Sequence, residues 1–185
     1  MIRVLIVDDS ALVRQILSSG LGKFSDIEVI GSASDPYQAR DMIVHHKPDV
    51  MTLDIEMPRM NGLEFLKRLM PQYPMPVIMV SSLTEKGSEV TMNALALGAL
   101  DFITKPESNL KNGMQAMMDL LANKIRVAYE NREKIKTNAQ FYQAMIPKSI
   151  TSLKKTTDKI IVIGASTGGT EALSFLMKQL PEDFP

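Results

Sequence analysis

Five residues in the first 105 positions have types and spacing that could do chemistry together: Asp8, Asp9, Asp54, Ser81 and Lys105. Each closes a short apolar run. Asp8 and Asp9 follow residues 2–7, Asp54 follows 50–53, Ser81 and Ser82 follow 77–80, and Lys105 follows the run holding Phe102 and Ile103. If these runs are strands of one parallel sheet, all five residues reach the same edge. Three carboxylates crowded together repel one another, and desolvation worsens the repulsion. Such a cluster needs a cation. With only oxygen ligands on offer, Mg²⁺ fits, because it binds through one or two carboxylates plus waters and leaves room for a phosphate. Lys105 supplies a second positive charge, and the Ser81 hydroxyl can donate to a phosphoryl oxygen. These are the parts of a phosphoryl transfer: Asp54 attacks phosphorus in line, Mg²⁺ and Lys105 neutralise the equatorial oxygens, and the product is a labile acyl phosphate. A lone Asp at a strand end is ordinarily a turn residue or a helix cap. The order of these five residues along the chain makes that reading insufficient.

The elements that must position them alternate between two periods. Ile2 to Val7 reads as a buried strand. Ser10 is placed to cap a helix carrying Leu12, Val13, Ile16, Leu17 and Leu21, with Gly20 and Gly22 to stop it. Ile27 to Ile30 is a second strand. Asp35-Pro36 gives an N-cap followed by Pro at the first helical position, and that helix ends before Lys47-Pro48. Val50 to Leu53 is a third strand, Gly62 precedes a short helix over 63–70, and Val77 to Val80 is a fourth strand. A helix around 87–97 ends at Gly98, and Phe102 and Ile103 belong to a fifth strand. Leu110, Met114, Met117, Met118, Leu121 and Ile125 then share one face of a last helix. Five strands alternating with five helices imply an α/β, doubly wound parallel sheet covered on both faces, whose reactive groups lie at the carboxyl ends of the strands. Most of the 14 methionines fall at apolar positions and are expected to fill core gaps.

Composition narrows the classes of function. Of 185 residues, 45% are hydrophobic and 23% charged, and 21 Lys+Arg balance 21 Asp+Glu. A chain of this composition is globular, and without a global basic footprint no nucleic-acid partner is expected. With no cysteine, a disulfide scaffold, a thiolate metal site and a Cys nucleophile are excluded. No apolar run approaches a membrane span, so no membrane insertion is expected. The N-terminal run before Asp8-Asp9 is no signal peptide, and the protein reads as cytoplasmic. The charge is uneven: residues 1–121 carry a net −4, residues 122–159 a net +6 and residues 160–185 a net −2. The expected division is therefore an acidic unit over 1–121, a basic linker over 122–158 and a short final piece over 159–185.

That final piece opens with Ile160-Ile161-Val162-Ile163, followed by a glycine-rich turn and a helix-forming stretch. Gly164-Ala165-Ser166-Thr167-Gly168 matches G-x-S-x-G between an expected strand and helix, the setting of a nucleophile elbow that exposes the Ser166 hydroxyl beside helix N–H groups. A plain glycine turn explains the pentapeptide equally well. A phosphate loop fits poorly because no Lys follows Gly169, and a dinucleotide fingerprint fails because Ser166 stands where its second Gly belongs. The histidines, His45 and His46, fall near the end of the second helix and read as surface residues.

Residues 1–121 resemble the receiver domain of two-component response regulators. The residues that carry the resemblance are Val7-Asp8-Asp9-Ser10, Leu53-Asp54-Ile55-Glu56-Met57-Pro58 with Gly62, Val80-Ser81-Ser82, and Asp101-Phe102-Ile103-Thr104-Lys105-Pro106. The resemblance implies a flavodoxin-like strand order 2-1-3-4-5 and a phosphoacceptor role for Asp54. It further implies Mg²⁺ ligation by Asp9 and Asp54 directly, by the Glu56 carbonyl, and by Asp8 through water. Ser81 and Phe102 become a switch pair, with the hydroxyl moving towards the phosphoryl group and the ring turning inward behind it. A cis peptide at Lys105-Pro106 is also implied.

A receiver, a basic linker and then residues 163–172 around Ser166 together resemble the chemotaxis protein-glutamate methylesterase family. The resemblance implies hydrolysis of glutamate methyl esters on methyl-accepting chemoreceptors, glutamine deamidation, and activation when a chemotaxis histidine kinase phosphorylates the receiver. Ser166 becomes the nucleophile of a Ser-His-Asp triad. The chain ends 19 residues after Ser166, and no histidine follows that serine. The expectation is thus a regulatory part joined to an incomplete methylesterase domain, without esterase activity of its own because the general base is missing. Two other readings compete: a stand-alone receiver acting as a phospho-dependent binding module, and a receiver with a DNA-binding output. The last is weakest, because no helix-turn-helix pattern with a basic recognition helix follows the linker.

Overall fold

The computed structural model describes residues 1–82, 87–105, 111–133 and 135, together with Leu173 and Met177. Its elements run β1 (Ile2–Val7), α1 (Ala11–Leu21), β2 (Ile27–Ala33), α2 (Pro36–His46), β3 (Val50–Asp54), α3 (Gly62–Leu69), β4 (Val77–Ser82), α4 (Gly87–Ala96), β5 (Asp101–Lys105) and α5 (Lys111–Glu130). The five strands form one parallel sheet in the order β2-β1-β3-β4-β5. This is the doubly wound architecture and strand order expected from the sequence.

Local chemistry sets the helix ends. The Ser10 hydroxyl accepts from Val13 N–H at 3.4 Å and starts α1, while Asp35 accepts from the N–H groups of Tyr37 and Gln38 and starts α2 with Pro36 in its first turn. At the other end of α2, Lys47 turns left-handed with φ 46° just before Pro48. Asn61 caps α3 through Glu64 N–H at 2.8 Å. Gly98, with φ 104°, makes the turn into β5 that a side chain would strain.

Strand residues alternate between the two faces of the sheet. Leu5, Val7, Met51, Leu53, Val77 and Met79 pack with α2, α3 and α4 through Ile43, Phe65, Leu66 and Ala94. Val4, Ile6, Val50, Ile78, Val80 and Ile103 pack with α1 and α5 through Leu17, Leu21, Met118, Leu121 and Ile125. Each fully buried aliphatic side chain here is worth about 1.5–3 kcal/mol. Among the described residues eight methionines are buried, Met51, Met79 and Met118 among them, and packing accounts for these as expected.

Three expectations need correction. Gly20 does not stop α1; it lies inside the helix, and Gly22 is the cap. A Cβ at Gly20 would run into Met118, 2.8 Å from its Cγ, so this glycine lets α5 approach α1 closely. Leu12 does not join the buried face of α1 and is 63% exposed. The expected boundary at 121 falls inside α5, which continues to Glu130 with Ala122, Ile125 and Ala128 buried. Past it, Ile135 is buried in the core on the α2–α3–α4 face, opposite the face that α5 covers. The change in net charge misplaced this boundary because Lys124 and Arg126 serve the fold. Lys124 pairs with Asp101, and Arg126 holds Asp26 at 2.6 and 2.9 Å while stacking over the Phe24 ring. Leu110, Pro106 with its expected cis bond, the expected linker beyond Ile135 and Ser166 with its glycine turn lie outside the described residues.

Candidate functional site

The parallel register brings the predicted residues to one edge. Val7 pairs with Leu53, Asp54 with Val80, Ser81 with Thr104 and Ser82 with Lys105. The strands therefore end almost level, and the residues that close them converge. One carboxylate oxygen from each of Asp8, Asp9 and Asp54 lies within 4.8 Å of the others. Asp8 and Asp54 are buried, 1% and 3% exposed, whereas Asp9 faces outward.

Lys105 reaches across from β5 to both buried carboxylates, 2.8 Å from Asp8 Oδ2 and 3.0 Å from Asp54 Oδ1. Its contact with Asp8 Oδ2 lies off the direction of a good hydrogen bond, so that oxygen is charge-paired but short of hydrogen bonds. Ser10 N–H donates to Asp8 Oδ1 and Ile55 N–H to Asp54 Oδ1, at 2.9 and 2.8 Å. Burial pushes the Asp54 carboxyl above its ordinary pKa; Lys105 opposes the shift and Asp8 reinforces it. Burial also works against the Lys105 charge, but Asp8 and Asp54 together outweigh it and hold the ammonium above the usual lysine value. One lysine thus serves two buried carboxylates, and the pocket has negative charge to spare. Hard oxygen donors with unmet charge and an open side at Asp9 suit a small divalent cation.

Ser81 and Phe102 also come together. They line a cavity of about 60 Å³ with Ile55, Glu56 and Thr104. The Ser81 hydroxyl donates to the Ser82 carbonyl at 3.1 Å, and the Phe102 ring is partly buried. A larger groove of about 360 Å³ opens between α2 and α3, lined by Tyr37, Ile43, Val44, Phe65 and Tyr73, and contains none of the predicted site residues. His45 and His46 are exposed and belong to no metal-ligating group among the described residues.

Two contributors were not legible beforehand. Gly62 packs on the backbone of Asp54: a Cβ there would collide with the Asp54 carbonyl and come 3.1 Å from Ile55 Cα, while Gly62 N–H donates to Ile55 O at 2.8 Å. The sequence marks this glycine as a helix start and as part of the receiver resemblance, but not as a contact of the Asp54 backbone. Arg14, on α1, donates from Nη1 to the carbonyls of both Asp8 and Asp9, at 2.8 and 2.9 Å. Its spacing from Ser10 hints at no more than a place one turn into the helix.

Residues 4–117 match the response regulator receiver domain family. The response regulator domain of Thermotoga maritima CheB is 46% identical, with a TM-score of 0.64 over 70% of this chain and 97% of that one. A protein-glutamate methylesterase/protein-glutamine glutaminase from Syntrophotalea carbinolica is 51% identical, and one from Syntrophus aciditrophicus 54% identical, each matching 100% of this chain and 53% of its own length. The chain therefore spans about half the length of the curated relatives it matches. On the geometry of the acidic edge and on these matches, the chain belongs to the response regulator receiver domain family and is a homologue, along its whole length, of the protein-glutamate methylesterases.

Proposed function

We propose that the receiver accepts a phosphoryl group on Asp54 from a chemotaxis histidine kinase and, by doing so, controls an attached protein-glutamate methylesterase and glutamine deamidase that acts on methyl-accepting chemoreceptors. The observation that carries this reading is the buried pair Asp8–Asp54 sharing Lys105, with Asp9 beside them. Asp9, Asp54 and the Glu56 carbonyl would hold Mg²⁺ directly, and Asp8 through water. Bound there, the ion supplies positive charge to the phosphoryl oxygens and lowers the repulsion among the carboxylates.

Asp54 attacks phosphorus opposite the donor's leaving nitrogen. The new O–P bond forms as the P–N bond breaks, and the leaving imidazole keeps the bonding pair and takes up a proton. Lys105 moves its ammonium from the carboxylates to a phosphoryl oxygen. Ser81 exchanges its bond to the Ser82 carbonyl for one to the phosphoryl group, and Phe102 turns into the cavity the two residues share. The change at β4 and β5 is the signal that reaches the output. In this reading residues beyond the receiver lead to a methylesterase domain beginning near 159, with Ser166 as its nucleophile. Similarity to the methylesterases along the whole of this chain, beyond the receiver, supports this over a stand-alone binding module.

Intact mass tests the acceptor. Wild type treated with a small acyl phosphate and Mg²⁺ should gain one phosphoryl group, and Asp54→Asn should gain none. Equal incorporation in both rejects the assignment. For the output, a chain extended to the length of its relatives should hydrolyse methylated receptor faster when phosphorylated and lose that activity in Ser166→Ala.

A further inference from the structure

We infer that Arg14 is a positioning residue for the divalent-cation site, aiming the Asp8 and Asp9 carboxylates through their main chain. The inference rests on the cation-binding reading above. Consecutive residues of a strand send their side chains to opposite faces, so two adjacent aspartates cannot both face Asp54 while β1 stays extended. The strand ends at Val7, and both carboxylates nonetheless reach within 4.8 Å of Asp54 and each other. Successive carbonyls of a strand also point in opposite directions, yet here the carbonyls of Asp8 and Asp9 converge on one nitrogen, Arg14 Nη1, at 2.8 and 2.9 Å. That convergence defines the turn that aims the two carboxylates alike. Asp8 N–H, bonded to Ala33 O at 3.1 Å, and Ser10 N–H, bonded to Asp8 Oδ1, fix Asp8 alone. Among the described residues only the Arg14 guanidinium ties the Asp9 carbonyl to that of Asp8.

The charge of Arg14 makes this testable. A guanidinium beside the pocket repels a divalent cation, so a role through charge alone would weaken metal binding, and removing it would strengthen it. A role through geometry has the opposite sign. Groups that orient metal ligands from behind typically matter by 10- to 100-fold in affinity. Arg14 is only partly buried, so water can replace its bonds in a variant and the fold should tolerate the loss.

Mg²⁺ is titrated calorimetrically into wild type, Arg14→Gln, Arg14→Ala and Arg14→Lys, and thermal unfolding of each is followed in EDTA. Mg²⁺ affinity should fall about tenfold in the Gln and Ala variants, with part of it recovered in Arg14→Lys, while metal-free midpoints stay within about 3 °C of wild type. Binding by Arg14→Gln as tight as wild type, or tighter, overturns the inference. So does a loss of affinity that only tracks a fall in the midpoint, because the clamp would then serve the fold and not the site. A wild-type chain that binds no Mg²⁺ overturns the reading of the site and this inference with it, and is told apart from the other outcomes by the wild-type titration alone.

Discussion

On the faces of the sheet Leu5, Ile6, Met51, Leu53 and Ile78 are fully enclosed by apolar neighbours; at its C-terminal edge, a residue or two further along the same strands, Asp8 and Asp54 are buried almost as deeply. The two regions share strands and burial but differ in the sign of what burial does. On the faces, removal from water stabilises the fold. At the edge it opposes the charges, raises the Asp54 pKa and leaves one ammonium between two carboxylates. Thr52 marks the transition: it precedes Asp54 by two residues on the same face of β3, and its buried hydroxyl has no hydrogen-bond partner. Rigid apolar faces hold an edge that is electrostatically incomplete, and that incompleteness is what a cation or a phosphoryl group can answer.

The contrast can be broken by substitution. The largest effect should come from a face. Leu66, on the inner side of α3, is fully buried, and Leu66→Ala should cost about 2–5 kcal/mol in urea unfolding while the folded fraction still takes up phosphate on Asp54. Loss of phosphorylation without loss of stability would blur the distinction between face and edge.

Gly62→Ala tests the junction. The added Cβ meets backbone of Asp54 and Ile55, which cannot move aside as a flexible side chain would. A cost of about 1–3 kcal/mol is expected, and, unlike Leu66→Ala, slower phosphate incorporation per folded molecule. Wild-type rates in the variant would separate Gly62 from the site.

The smallest effect should have the opposite sign. Asp54→Asn removes a buried charge and should stabilise the metal-free protein by about 1 kcal/mol on the usual scale of single substitutions. Its pH dependence follows from the raised Asp54 pKa. The folded state holds that proton more tightly than the unfolded state, so wild-type stability falls as pH rises from the ordinary carboxylate value of 3.8 through the raised one. The advantage of Asn should be small at the acid end of this window and complete above it. Thermal unfolding in EDTA across that range measures it, and an advantage that shrinks with rising pH would contradict the assigned shift.

Strand and helix periodicity, the caps at Ser10 and Asp35, and the residues closing each strand are properties of neighbouring positions, so composition and spacing were enough to read the sheet and to place Asp8, Asp9, Asp54, Ser81 and Lys105 on one edge. The order β2-β1-β3-β4-β5 was available through resemblance to receivers. What depends on residues distant in sequence was not readable. The sharing of Lys105 between Asp8 and Asp54 depends on β1, β3 and β5 ending level. The place of Gly20 in the α1–α5 contact depends on Met118, and the ion pairs of Lys124 and Arg126, counted with the basic linker, depend on Asp101 and Asp26. The chain by itself determined which groups could react, because their types and local spacing are written in it. Only the tertiary structure decided how they are aimed, because the clamp of Arg14 on two carbonyls and the contact of Gly62 with Asp54 join backbone atoms that no side-chain pattern records.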